Sequence, residues 1–107
     1  MSFKILPTPP FEKELKKLAK KYPSIKADLK DLVAGLVANP ASGTSLGNNC
    51  FKIRLGISSK NKGKSGGAGV ITFVQVVNEA IYLLSIYDKA DLSNISDQEL
   101  SSRIKNL

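Results

Sequence analysis

The sequence contains no histidine and no tryptophan, and it has a single cysteine, Cys50. Without histidine, the Ser-His and Cys-His pairs that activate nucleophiles in many hydrolases are excluded. A zinc site would have to be built mostly from carboxylates. One cysteine cannot form a disulfide within the chain, so Cys50 is expected to be a small buried side chain. We therefore expect neither a metal site nor a bound cofactor.

Long hydrophobic runs are also missing. No apolar stretch approaches the roughly 18 residues that a membrane span needs, and no hydrophobic segment follows the N-terminal residues 1–4. The chain is therefore expected to be cytoplasmic, with no membrane partner. Its 107 residues are enough for one hydrophobic core, so residues 1–107 are expected to form a single domain. The oligomeric state is left open.

Positive charge is abundant and unevenly distributed. The chain has 16 lysine and arginine residues against 9 acidic residues, a formal charge of +7. Residues 32–78 contain no acidic residue at all, and their cations are Lys52, Arg54, Lys60, Lys62 and Lys64. This region is where an anionic ligand is expected, and a nucleic acid, an anionic surface or an acidic protein would satisfy the charge alone.

The hydrophobic pattern predicts an α+β domain. Residues 3–6 alternate like a short strand, and a helix starting at Pro10 follows with one apolar stripe. Ser24 is expected to cap a second helix that ends at Asn39-Pro40, so the two helices form an antiparallel hairpin. Residues 41–49 are rich in Gly, Ser and Asn and are predicted to be a loop.

Three strand patterns follow without helices between them, over residues 51–57, 70–77 and 80–87. Such a succession predicts an antiparallel sheet, with the last two strands joined by a tight turn at Asn78-Glu79. Ser96 and Glu99 have the spacing of a capping box, which predicts a short C-terminal helix.

The alternation in residues 51–57 places Lys52 and Arg54 on one sheet face and the apolar side chains on the other. The loop that follows contains three more lysines and Gly63-Lys64-Ser65. A phosphate-binding Walker A loop needs glycine where Ser58 stands and a helix afterwards, whereas a strand follows here. A nucleic-acid backbone fits the cationic cluster better.

A second group of chemically capable residues is Tyr87-Asp88-Lys89, at the end of the last predicted strand. Metal-free RNA cleavage needs a proton acceptor, a proton donor and cations around the phosphate. Without histidine, these roles fall to lysine, arginine, tyrosine or a carboxylate. Tyrosine and lysine have ordinary pKa values of about 10, so either needs nearby positive charge to act as a base near neutrality.

Four segments in order resemble a RelE/ParE-superfamily toxin of a bacterial type II toxin–antitoxin pair, nearest the RelE and HigB-like branch. They are residues 11–18 (FEKELKKL), 52–55 (KIRL), 63–68 (GKSGGA) and 84–89 (LSIYDK). The resemblance implies a helical hairpin packed on a curved antiparallel sheet. It also implies a metal-independent mRNA endonuclease that acts on mRNA on the ribosome and is held inactive by a cognate antitoxin.

The resemblance also implies roles for particular residues. Those expected to hold the message are Lys52, Arg54, Lys60, Lys62 and Lys64, and those expected to be catalytic are Arg54, Tyr87 and Lys89. After residue 68 the family usually has an arginine, and this chain has Gly69. Losing one charge-assisted contact to the transition state lowers a rate by about a hundredfold or more, so an attenuated toxin is expected.

Two other functions are open at this stage. One is a ParE-like inhibitor of DNA gyrase, and the other is a non-catalytic module that binds RNA or the ribosome. For the antitoxin, we expect a segment that folds along the sheet and its cationic face and displaces the C-terminal helix.

Overall fold

The structure, a computed structural model, describes residues 3–60, 67–92 and 94–107. A short 3-10 turn at Ser58–Lys60 follows the third strand. The other elements, in chain order, are β1 (Lys4–Pro7), α1 (Pro9–Lys21), α2 (Ile25–Ala38), β2 (Thr44–Gly47), β3 (Cys50–Leu55), β4 (Ala68–Gln75), β5 (Ala80–Asp88) and α3 (Asp97–Lys105). The predicted α+β class, the N-terminal pair of helices and the C-terminal helix are confirmed.

The first helix begins one residue earlier than predicted. Thr8 caps it, because its hydroxyl accepts a hydrogen bond from the Phe11 N–H at 3.4 Å. The same hydroxyl donates to the Leu83 carbonyl at 2.9 Å, which ties the start of α1 to β5. None of the helices within the described ranges combines the length and apolar composition of a membrane span.

The five strands form one sheet in the order β1-β5-β4-β3-β2. The predicted antiparallel pairing is confirmed for β3, β4 and β5, but β1 pairs parallel with β5, from Lys4 opposite Ala80 to Pro7 opposite Leu83. The sequence pattern predicted β1 as a strand but not its partner, because local patterns identify only hairpin neighbours and β1 lies far from β5 in the chain. The β4–β5 ladder shifts register between Ile71 and Thr72, a bulge that bends the sheet.

Two turn regions also differ from the sequence prediction. The predicted loop 41–49 contains β2, a short edge strand paired with β3 and bounded by Gly43 and Gly47 with φ of 97° and 87°. The sequence pattern does not predict this strand, because glycine and most polar residues have a low propensity for strands. The β4–β5 turn spans residues 76–79 rather than Asn78-Glu79 alone, and its Val77 is 92% exposed.

The sheet has an apolar cluster on each side. The larger one packs α1 and α2 on the sheet and includes Phe11, Ile25, Leu36, Leu55, Val70, Ile81 and Ile86. The smaller one lies on the opposite side, under α3, and consists of Cys50, Ile71, Leu84, Tyr87 and Leu100. Ser96 caps α3 as predicted, since its hydroxyl accepts from the Glu99 N–H at 3.1 Å. The α3 side of the sheet therefore carries the side chains discussed next.

Candidate functional site

One row of residues crosses the three central strands on the α3 side of the sheet. Arg54 of β3 lies opposite Gly69 of β4, and Gly69 lies opposite Tyr87 of β5. Because side chains alternate along a strand, Lys52 shares this side with Arg54. Lys89 lies just beyond the end of β5, and its charge reaches Lys52. We call Lys52, Arg54, Gly69, Tyr87 and Lys89 the basic face.

Lys52 is only partly accessible on the basic face. Its ammonium group donates a hydrogen bond to the Asn94 side-chain oxygen at 2.7 Å. Desolvation lowers the pKa of Lys52, and the positive charges of Lys89 and Arg54 lower it further. Lys52 is thus close enough to Arg54 and Lys89 to be repelled by both, and an anion bound beside Lys52 would relieve that repulsion.

Tyr87 is a buried tyrosine whose hydroxyl is not satisfied. The residue is 7% exposed, and its hydroxyl has no hydrogen-bond partner in the part of the chain that the structure describes. Burial raises the pKa of Tyr87 above its ordinary value. The role that the sequence suggests for Tyr87 is a base assisted by positive charge. The direction of the shift instead makes it a neutral phenol near pH 7, which suits a hydrogen-bond or proton donor.

Gly69 lies directly beneath the ring of Tyr87. A Cβ atom on Gly69 would be 2.5 Å from Cζ of Tyr87 and 2.7 Å from its hydroxyl oxygen. The attenuation expected from sequence treats residue 69 as the site of a missing side chain. In the structure, the space next to Gly69 is filled by the Tyr87 ring.

Asp88 lies on the other side of the sheet from Tyr87, so it does not belong to the basic face. Its carboxylate accepts a hydrogen bond from the Tyr22 hydroxyl at 2.6 Å and another from the Ala90 N–H at 2.9 Å. The Asp88 carboxylate therefore holds the end of α1 and the end of β5 in place. This excludes Asp88 as the acid or base of the site.

The segment that leads into the lysine-rich loop is held by α2. Asp28 accepts hydrogen bonds from the Ser58 N–H at 2.9 Å and the Ser58 hydroxyl at 2.5 Å, and from the Ser24 hydroxyl at 2.8 Å. The Ser59 N–H in turn donates to the Ser24 hydroxyl at 2.8 Å. Burial acts to raise the pKa of Asp28, but these hydrogen bonds outweigh it and lower the pKa below its ordinary value.

Ser24 stands at the cap position predicted for α2, but its side chain makes no capping bond to the helix.

The side chains of three residues expected to bind RNA lie outside the described part of the chain. Lys62 and Lys64 lie outside the described residues, as does the side chain of Lys60.

Sequence analysis missed an ion pair that fastens α3 beside the basic face. The Arg103 guanidinium donates to both Glu14 carboxylate oxygens, at 2.8 and 3.0 Å, and to the Leu84 carbonyl at 2.7 Å. The Ile86 N–H donates to the same Glu14 side chain at 3.3 Å. These side chains satisfy the edge of β5 beyond the point where its pairing with β1 ends. Glu14 and Arg103 are 89 residues apart, and no sequence signal connects them.

No cluster of three or more His, Cys, Asp or Glu side chains suited to a metal ion occurs among residues 3–60, 67–92 and 94–107. The chemistry of the basic face is that of two lysines, one arginine and one neutral phenol. Such a group can hold a phosphodiester, neutralise charge on it and donate a proton to it.

Comparison with solved structures identifies the fold. The chain is similar to a mutant of the E. coli toxin RelE in the free state, in which two arginines are replaced by alanine, at 16% identity and a TM-score of 0.67. This match covers 100% of this chain and 99% of that one. The chain has the RelE fold. No protein-family model matches it, and no curated protein matches it in sequence.

Two other RelE structures have the same fold. One is the intact E. coli RelBE toxin–antitoxin complex, at 17% identity and a TM-score of 0.62, covering 80% of this chain and 95% of that one. The other is the RelE mutant in complex with a peptide of the antitoxin RelB, at 16% identity and a TM-score of 0.64, covering 100% and 99% of the two chains. The RelE fold that the sequence resemblance implied is confirmed.

Proposed function

We propose that this protein is the toxin of a type II toxin–antitoxin pair and that residues 1–107 form a single toxin domain that cleaves mRNA on the ribosome without a metal ion. The observation that carries the proposal is the basic face itself. Lys52 senses the charges of Arg54 and Lys89, and Arg54 lies in one row across the sheet with Gly69 and with Tyr87, a buried phenol with an unused donor. The RelE fold supports the assignment, because it is the fold of a toxin that was solved both alone and with its antitoxin.

The proposed reaction is attack of an RNA 2′-hydroxyl on the adjacent phosphorus. The 2′-oxygen forms a bond to phosphorus, the bond to the 5′-oxygen breaks, and the products are a 2′,3′-cyclic phosphate and a 5′-hydroxyl. Lys52 suits the role of proton acceptor, because its lowered pKa increases its neutral fraction. Tyr87 suits the role of proton donor to the leaving oxygen, and Arg54 and Lys89 neutralise the pentacoordinate phosphate.

The remaining lysines of the region serve to hold the message. Lys60, Lys62 and Lys64 follow β3 in sequence, and the hydrogen bonds of Asp28 and Ser24 fix the residues that precede them. Lysine contacts to phosphate provide affinity without sequence preference. We propose a cytoplasmic protein whose partners are mRNA on the ribosome and a cognate antitoxin. The antitoxin segment would lie along the basic face and displace α3.

The test is cleavage of a defined mRNA on programmed 70S ribosomes. Substituting both Lys52 and Arg54 by alanine is expected to lower the cleavage rate by about a hundredfold or more. It is also expected to flatten the salt dependence of ribosome binding. The matched control replaces Lys13 and Lys16 by alanine. This pair carries the same charge on an exposed part of α1, which packs on the opposite side of the sheet, and the control should cut at the rate of the unsubstituted protein.

The outcomes separate the candidate functions. Cleavage that persists in a chelator and depends on Lys52 and Arg54 supports the proposal. Salt-sensitive ribosome binding without cleavage indicates the non-catalytic module. Inhibition of DNA supercoiling by gyrase, with no effect on the message, indicates the ParE-like function and refutes the proposal.

The Gly69→Arg variant decides whether the glycine weakens the enzyme. Faster cleavage by this variant would support the attenuation expected from sequence. Slower cleavage is the outcome favoured by the contact between Gly69 and the Tyr87 ring.

A further inference from the structure

The Tyr87 ring lies across β4 instead of standing upright on β5. The hydroxyl end of the ring is the part that approaches residue 69, since Cζ, Cε2 and the hydroxyl oxygen are 2.5, 2.7 and 2.7 Å from the position of a Cβ there. Gly69 separates Tyr87 from Arg54 in the sheet. The phenol therefore extends from its own strand toward the strand that carries Arg54.

This placement leaves the hydroxyl in unusual surroundings. The ring packs in the cluster with Cys50, Ile71, Leu84 and Leu100, and the hydroxyl has no partner within the described part of the chain. An unpartnered buried hydroxyl destabilises a fold, so packing must hold the ring there. Any residue except glycine at position 69 would place an atom within 3 Å of the ring, and the ring would have to move.

We infer that Gly69 is a positioning residue, whose missing side chain forms the slot that holds the Tyr87 hydroxyl, unpaired, over β4 and next to the strand that carries Arg54. The slot keeps a neutral donor buried on the side of the sheet where the basic face would bind a phosphate, and cleavage requires that the bound RNA reach this hydroxyl. The contribution of this slot to cleavage rests on the proposed function, whereas the slot itself does not. On this account glycine at position 69 is required for activity, and a larger side chain there inactivates the site.

The first test measures Tyr87 directly. Tyrosine labelled with ¹³C at Cζ is titrated by NMR in the unsubstituted protein and in Gly69→Ala, and the Tyr87→Phe variant assigns the signal. In Gly69→Ala the displaced phenol becomes hydrated, so its pKa should fall toward the ordinary value of about 10. The matched control is Gly35→Ala, since a Cβ on Gly35 meets nothing within 4 Å. The control should titrate like the unsubstituted protein, and an unchanged titration in Gly69→Ala would overturn the inference.

The second test remains informative if Gly69→Ala folds poorly. Urea denaturation is compared for Gly69→Ala, Tyr87→Ala and the double variant. Removing the ring removes the collision. The double variant should therefore lose less free energy of unfolding than the sum of the two single-variant losses. Additive losses would mean that the ring and residue 69 do not compete for space, and the inference would fall.

The third test links the slot to cleavage. Gly69→Ala should lower kcat more than it raises KM. Combined with Tyr87→Phe, it should lower kcat little beyond Tyr87→Phe alone, because both changes remove the same donor. If the two substitutions lowered kcat independently, so that their effects multiplied in the double variant, Gly69 would not act through Tyr87. If the unsubstituted protein cuts no RNA, the proposed function fails, while the NMR titration and the denaturation cycle still decide whether Gly69 positions Tyr87.

Discussion

Removing the Arg103 side chain tests what holds α3 on the sheet. Arg103 donates two hydrogen bonds to Glu14, at 2.8 and 3.0 Å, one to the Leu84 carbonyl at 2.7 Å and one to Glu99 at 3.1 Å. The side chains of Arg103 and Glu14 are only 16% and 31% exposed. Arg103→Ala would leave the Glu14 carboxylate and the Leu84 carbonyl without these donors in a partly dry contact.

The magnitude follows from this partial burial. Breaking a fully buried ion pair by removing one partner costs about 3–5 kcal/mol. Water can reach part of Glu14, so we expect a loss of about 2–3 kcal/mol in the free energy of unfolding. The exposed pair with Glu99, an i,i+4 contact on α3, adds no more than about 0.5 kcal/mol. For a domain of this length, the total of about 2–3.5 kcal/mol corresponds to a fall in Tm of about 9–16 °C.

Thermal and urea unfolding of Arg103→Ala measure this loss, and hydrogen exchange of the α3 amides shows where it acts. Lys105→Ala is the matched control, because Lys105 is an exposed cation on the same helix. A loss for Arg103→Ala no larger than that of the control, or a loss without faster exchange in α3, would refute the argument that the Glu14 contact holds the helix.

Three further predictions concern other residues. Asp28→Asn should destabilise the fold by about 1 kcal/mol at neutral pH. Because the pKa of Asp28 is lowered, this difference should shrink as the pH falls below about 4, and a pH-independent difference in urea unfolding would contradict it. Tyr87 has a raised pKa, so the fold should lose stability as the pH rises above about 10, and Tyr87→Phe should reduce that loss in alkaline unfolding curves. Gly35→Ala should stabilise α2 by about 0.5–1 kcal/mol, since the added methyl group meets no neighbour, and a lower Tm would count against this.

Periodicity in the sequence was sufficient for every helix and strand except the edge strand β2, and for part of the site. The alternation from residue 51 onward placed Lys52 and Arg54 on one face, and the structure has them there, opposite the apolar side chains that pack under α1 and α2. The spacing of Ser96 and Glu99 located the start of α3. These features depend on residues that are close in the chain, so the sequence alone determined them.

Only the tertiary structure decided how distant residues meet. It paired β1 with β5 in parallel, joined Glu14 to Arg103 across 89 residues, and turned Asp88 away from Tyr87 toward Tyr22. It also showed the position of Gly69 as space occupied by the Tyr87 ring. Such contacts depend on how strands align and on which side chains fill the space between them. Patterns among residues that are close in the chain do not determine that packing.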